Sequence, residues 1–174
     1  MQNIKSLFLL LLSCFFGGCT SSAIFEDYRN IPQEKWAINS DIQFEVEIPQ
    51  NGDYDFILCI RHTTDYEMAN LWCFLTVADS TRTIRKDSVN IMVAEADGKW
   101  KGKGNLLKTL EYPLPDPYAL NTGKYFISVK QGMRTPTLKG IKNVGLIVRP
   151  GTSVPTTIES VSYTHLTLPT ILRV

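Results

Sequence analysis

Histidine is almost missing from this chain: His62 and His165 are the only two in 174 residues. One histidine within the body and a few scattered cysteines give no zinc-binding spacing. Asp53, Asp55, Asp65 and Asp79 do not follow a calcium-loop pattern either. An excess of one charge is also lacking, with 18 Lys and Arg against 17 Asp and Glu. A chain balanced in this way has no basic footprint for nucleic acid. Helical periodicity is scarce. The one long apolar run, Leu7 to Phe16, is broken only by Ser13 and Cys14. It falls short of the roughly 20 residues that a membrane-spanning helix needs.

That run has the length of a signal-peptide core, and its surroundings agree. Lys5 precedes it with no acid nearby, and Gly17-Gly18-Cys19 follows. An apolar residue, two small residues and a cysteine form the maturation site of bacterial lipoproteins. The thiol is the only side chain there nucleophilic enough to take a diacylglycerol thioether, and small residues let a peptidase reach the backbone. The expected plan is therefore a signal peptide over 1–18 and a linker over 19–24, lipidated at Cys19. Acyl chains such as palmitate would hold the chain to a membrane.

The far end reads as separate. Pro150 to Thr157 is rich in Gly, Thr, Ser and Pro, as linkers are. From Ser160 the sequence has no acid and a Thr-Leu-Thr-Leu-Pro-Thr pattern resembling a translated sequencing adapter. Residues 150–174 are accordingly excluded from the fold. A real extra strand over Val161 to Leu168 is the alternative. His165 lies there and receives no functional weight. Setting aside residues 1–18 and 160–174, which hold Lys5 and Arg173, leaves 16 basic and 17 acidic side chains.

Between the ends, period-two alternation dominates. Ile42 to Ile48 alternates strictly, so one face is buried and the other wet. Tyr54 to Arg61, Leu71 to Ala78, Val89 to Glu95, Tyr125 to Gln131 and Ile141 to Arg149 also read as strands. Asp97-Gly98 marks a hairpin turn, with Trp100 to Gly104 as the start of the return strand. Tyr112 to Pro117 is a proline-rich crossover that cannot sit inside a sheet. The expectation is an all-β fold. It is a single β-sandwich or jelly-roll-like domain of about seven or eight antiparallel strands over 25–149. A closed barrel is the alternative.

Few residues in this body offer chemistry. His62 sits at an expected strand end beside Asp65, a place where histidines are commonly solvated, and no nucleophile elbow accompanies it. Gly98, Gly102 and Gly104 lack the Gly-Lys-Ser/Thr ending and following helix of a phosphate loop. Cys59 and Cys73 would face each other if their two strands formed a hairpin centred near Tyr66. An extracytoplasmic compartment would then permit a bridge. Two buried free thiols are the equal alternative. Trp72 and Phe74 share the face of their strand opposite Leu71, Cys73 and Leu75. Burial in a core is the ordinary fate of such aromatics. Contact with a partner or with a sugar ring is the other, and Trp100 belongs to the same candidates. Arg61 and Arg134 are candidate holders of carboxylates.

Four blocks in order carry a family resemblance. They are Arg61-His-Thr-Thr-Asp-Tyr66 with Asn70-Leu71; Asp97-Gly-Lys-Trp-Lys-Gly-Lys-Gly104; Gly123-Lys-Tyr125 with Gln131-Gly-Met-Arg134; and Leu138-Lys-Gly-Ile-Lys-Asn-Val-Gly145. Together with the lipobox, Tyr28 and Trp36, they resemble the GldH gliding-motility lipoproteins of Bacteroidetes from about Cys19 to Arg149. The resemblance implies a non-enzymatic envelope lipoprotein without cofactor or catalytic residues. Its partners would be the membrane, through Cys19, and other gliding or type IX secretion-associated lipoproteins, with no nucleic acid. Because Thr20-Ser21-Ser22 follow the cysteine and acids come late, a periplasm-facing position on the outer membrane is expected. A lipid-anchored carbohydrate-binding module is the alternative.

Overall fold

The computed structural model describes residues 23–151, and Cys19 and the 152–174 tail lie outside them. Eleven strands form over this span: β1 (Phe25–Asn30), β2 (Lys35–Ala37), β3 (Ile42–Ile48), β4 (Gly52–Thr63), β5 (Asn70–Ala78), β6 (Thr83–Met92), β7 (Leu107–Pro113), β8 (Tyr118–Leu120), β9 (Gly123–Gln131), β10 (Thr137–Lys139) and β11 (Ile141–Pro150). The all-β expectation holds, with more strands than the seven or eight read from alternation. The additional ones are short or irregular: β1, β2, β8 and β10 have three to six residues, too few for a period to declare itself, and the seven residues of β7 are mostly half-buried without a buried–exposed alternation.

Two sheets stack on one core. The first has the order β1-β11-β4-β7, with β8 also paired to β4; the second has the order β3-β9-β5-β6. β2 and β10 form a separate ribbon. Each pairing is antiparallel. β7 and β8 lie one after the other along the same edge of the long β4, separated by residues 114–117 with Pro115 and Pro117. The expected crossover thus starts later than Tyr112, because Tyr112 and Pro113 still pair with Leu58 and Ile57 at the edge, where a proline is tolerated. Alternation decides what enters the core. Ile42, Phe44, Val46 and Ile48 of β3 are buried together with Leu71, Cys73, Leu75 and Val77 of β5 and Phe56, Leu58 and Ile60 of β4. Burying side chains of this size contributes about 1.5–3 kcal/mol each.

The sandwich is fastened along both open sides. On one side, Arg29 of β1 donates from Nε to the Gln43 carbonyl of β3 at 3.2 Å and lies over the Phe44 ring. On the other, Tyr118 of β8 is stacked on Phe56 and bonded to Asp87 of β6, while Arg85 pairs with Asp87 at 2.9 Å.

Two local expectations are corrected. β4 and β5 are not a hairpin: β4 pairs with β11, β7 and β8, and β5 with β6 and β9, so the connection between them crosses from one sheet to the other. Trp100 to Gly104 is not a continuous strand; it makes only isolated bridges, Ala94 with Trp100 and Lys103 with Thr109. The Asp97-Gly98 turn is present. Glu95 and Lys99 are joined by a 2.8 Å bond, and Gly98 takes the positive φ of 83° that such a turn uses.

The ends of the two sheets coincide. Only Pro49 to Asn51 separate Ile48 of β3 from Gly52 of β4, so Ile48, Gly52 and Gly123 share one end. Phe25 and Val148 are also there, since β4 and β11 pair through Phe56 and Val148. Gln131, Trp72, His62 and Ile141 mark the opposite end.

Candidate functional site

β5 is an inner strand of its sheet, and its even-numbered side chains point away from the core. Trp72 is 40% exposed and Phe74 48% exposed, although each is flanked in sequence by fully buried residues. The expectation that such aromatics are core is therefore overturned for both. Met68 and Met92 are exposed nearby, the latter next to Asn70 across the β5–β6 ladder. Methionine side chains are flexible and polarizable, and so adapt to irregular contacts.

A groove of about 670 Å³ opens beside Trp72, lined by Met68, Asn70, Gly132, Met133, Arg134 and Thr135. Its shape follows from how β9 ends. The Gln131 side chain, buried at the end of β9, accepts from the Met133 N–H at 2.8 Å and donates to the Thr135 carbonyl at 3.2 Å. These bonds curl the chain away from β5. Gly132 at the bend lets the Phe74 ring lie close over the chain, since a Cβ there would come within 2.7 Å of that ring and push it aside. Arg134 stands exposed at the rim and makes no ion pair among the described residues.

Trp72, Phe74 and Arg134 are thus brought to one place, and Trp100 and Arg61 are not. Trp100 is half-buried against the His62 ring, with centroids 4.9 Å apart. Arg61 lies on the outer face of the other sheet, its guanidinium 4.1 Å above the Tyr28 ring. Sequence reading missed Met68, Met92 and Met133. The hint was present in the run Gln131-Gly-Met-Arg134, where a glycine follows a strand and ends its ladder.

His62 corrects the expectation of a solvated strand end. It has no exposed surface, because Tyr66 and Trp100 close over it. Nδ1 lies 3.0 Å from the Thr63 carbonyl and Nε2 has no partner. Burial holds the imidazole below its ordinary pKa, so the neutral ring is favoured.

Cys59 and Cys73 are both free and buried. The proposed bridge fails because its hairpin does not exist. Cys73 points into the core, whereas Cys59 belongs to a small cluster with Ile57 and Ile147 on the outer face of the first sheet. Burial raises Cys59 to about 11 and pushes Cys73 higher still, so both stay as thiols. Among the described residues no group of three or more His, Cys, Asp or Glu could hold a metal ion.

The model of the GldH lipoprotein family matches residues 23–148, which is the whole sandwich apart from its last strand end. The chain belongs to the GldH lipoprotein family. Family membership makes this GldH-family chain a lipoprotein of the cell envelope. No curated protein matches it. Solved structures resemble it only remotely. A ruminal GH26 endo-β-1,4-mannanase aligns with a TM-score of 0.41 at 13% identity, over 67% of this chain and 19% of the enzyme. The carbohydrate-binding module CBM35 of Cellvibrio japonicus Abf62 gives 0.34 at 16%, over 66% of this chain and 72% of the module. TmCBM61, solved with β-1,4-galactotriose, gives 0.34 at 15%, over 72% and 82%. The GldH-family chain thus spans about a fifth of the mannanase, and none of these likenesses bears on its function.

Proposed function

We propose that this chain is a non-enzymatic lipoprotein that supports gliding-motility or type IX secretion-associated envelope assembly by presenting one end of its sandwich to a partner protein. The observation that carries this reading is the exposed Trp72–Phe74 pair with its methionine-lined groove, at the end of the sheets opposite the point where the chain enters. Lipid on Cys19 would sit four residue steps before Ala23, a reach on the order of 14 Å. The entry end then lies close to the membrane, and the groove faces away from it. β9 alone spans on the order of 27 Å. Tethering raises the effective concentration of neighbours, so modest contacts suffice. The outer membrane, facing the periplasm, is the location this reading takes.

The burial of His62 supports a role without catalysis. The test is a photo-activatable cross-linker in place of Phe74, in cells expressing the full chain. The expected product is a protein adduct that disappears when the cross-linker is moved to the outer face of β4. Recovery of only the free chain from both positions overturns the reading.

A lipid-anchored carbohydrate-binding module is the second reading. The exposed Trp72 indole beside Asn70 favours it, since aromatic faces stack on sugar rings. A Trp72-dependent interaction with an insoluble glycan, in place of any protein adduct, would select it.

A further inference from the structure

β5 and β9 form a regular ladder until Cys73 meets Gln131. One step further, the Gly132 N–H still donates to the Trp72 carbonyl at 2.7 Å, but the reciprocal bond is missing. The Trp72 N–H donates instead to the Met133 sulfur at 3.3 Å. A thioether is a weak acceptor. The ladder position is therefore filled by a stand-in, in the groove that the curled 132–135 segment leaves open beside β5. Arg134 adds an unpaired positive charge to the same groove, and Met68, Met133 and Trp72 supply its apolar wall.

We infer that this groove takes an extended polypeptide segment of a partner, laid along the Asn70–Trp72 end of β5, with an apolar side chain on Trp72 and a carboxylate at Arg134. The inference rests on the partner-docking reading above and specifies its partner. A peptide carbonyl displaces the Met133 sulfur from the Trp72 N–H and restores the missing rung, which is how strand addition gains affinity from main-chain bonds. The apolar wall fixes one side chain. The Arg134 guanidinium, free of any acid of this chain among the described residues, selects a segment with an acid next to that apolar residue.

The test uses the full chain and pools of random acetylated hexapeptides sorted as acidic, neutral or basic, read by the Trp72 backbone amide resonance. The acidic pool should move that resonance, and Arg134→Glu should weaken its binding roughly tenfold. Met133→Leu keeps an apolar side chain but removes the sulfur acceptor. It should therefore tighten peptide binding about fivefold, the equivalent of one unmet hydrogen bond. Purely apolar docking would leave this affinity unchanged, and that result overturns the inference. So does a Trp72 amide that no peptide pool moves, or that moves only with β-1,4-linked oligosaccharides. A protein adduct at Phe74 in cells combined with an unmoved amide overturns the strand-addition inference and leaves partner docking standing.

Discussion

The Tyr118 hydroxyl donates to Asp87 Oδ2 across 2.5 Å, and so joins the edge strand of one sheet to the edge strand of the other. Arg85 completes the cluster by pairing with Asp87 and lying 4.5 Å over the Tyr118 ring. Tyr118→Phe keeps the stack on Phe56 and removes only the hydrogen bond to a charged group. A loss of about 1.5–3 kcal/mol is expected. Urea unfolding of the two proteins measures it, and an unchanged midpoint would mean the clasp contributes nothing.

His62 makes stability depend on mild acid. Its folded pKa lies below the ordinary 6.5, so the unfolded chain binds the proton first as pH falls. Above about 6.5 the ring is neutral in both states and contributes no slope. Below that value stability declines until the pH passes the folded pKa. His62→Leu should remove this part of the acid dependence. Unfolding curves at steps from pH 7.5 to 5 check it; parallel slopes for both proteins would contradict it.

The two cysteines should behave as inert thiols. Alkylation of unreduced native protein should spare Cys59 and Cys73, and alkylation after denaturation should label both completely. Cys73→Ser places a hydroxyl in an apolar core and should cost about 1–3 kcal/mol. A mass consistent with a Cys59–Cys73 bridge would contradict the separation of their sheets.

Gly140 joins β10 to β11 with φ of 77°. A Cβ there would lie 2.4 Å from the Tyr66 nitrogen and 2.8 Å from the Asp65 carbonyl carbon, both backbone atoms that cannot step aside. Gly140→Ala should therefore lower stability by roughly 2 kcal/mol or more. A thermal midpoint equal to the parent's would count against the close approach.

Trp72→Ala should act oppositely, leaving stability within about 0.5 kcal/mol because the indole is already half in water. Partner capture should fall sharply. Loss of both would mean that the indole is structural.

How much of this could be read beforehand depends on where each pattern ends. Ile42 to Ile48 was legible to the residue because it alternates without a break and turns at Pro49. Tyr125 to Gln131 and Ile141 to Arg149 were legible within two residues. The Cys59–Cys73 expectation failed because alternation tells which face a residue takes, not which strand lies beside it. Strands adjacent in sequence need not pair, and β4 and β5 belong to different sheets. His62 was misplaced for a related reason: the cover over it, Trp100, comes from a connection 38 positions later in the chain. Of the site, the aromatics and Arg134 were visible as candidates. Their convergence was not, since it depends on Gln131 curling the chain after β9.

The pairing of β1 with β11 has a mechanical meaning. Phe25 lies opposite Val148, so the chain enters and leaves the sandwich at the same end. Ladder bonds run perpendicular to the strands. A pull between the two chain ends would peel the β1–β11 rungs apart singly, like a zip. A pull between the anchored end and a partner seated by Trp72 runs along the strands instead, and loads the rungs together in shear. Under the proposed docking, the domain is weak along one axis and stiff along the one that would join a membrane to a distant grip.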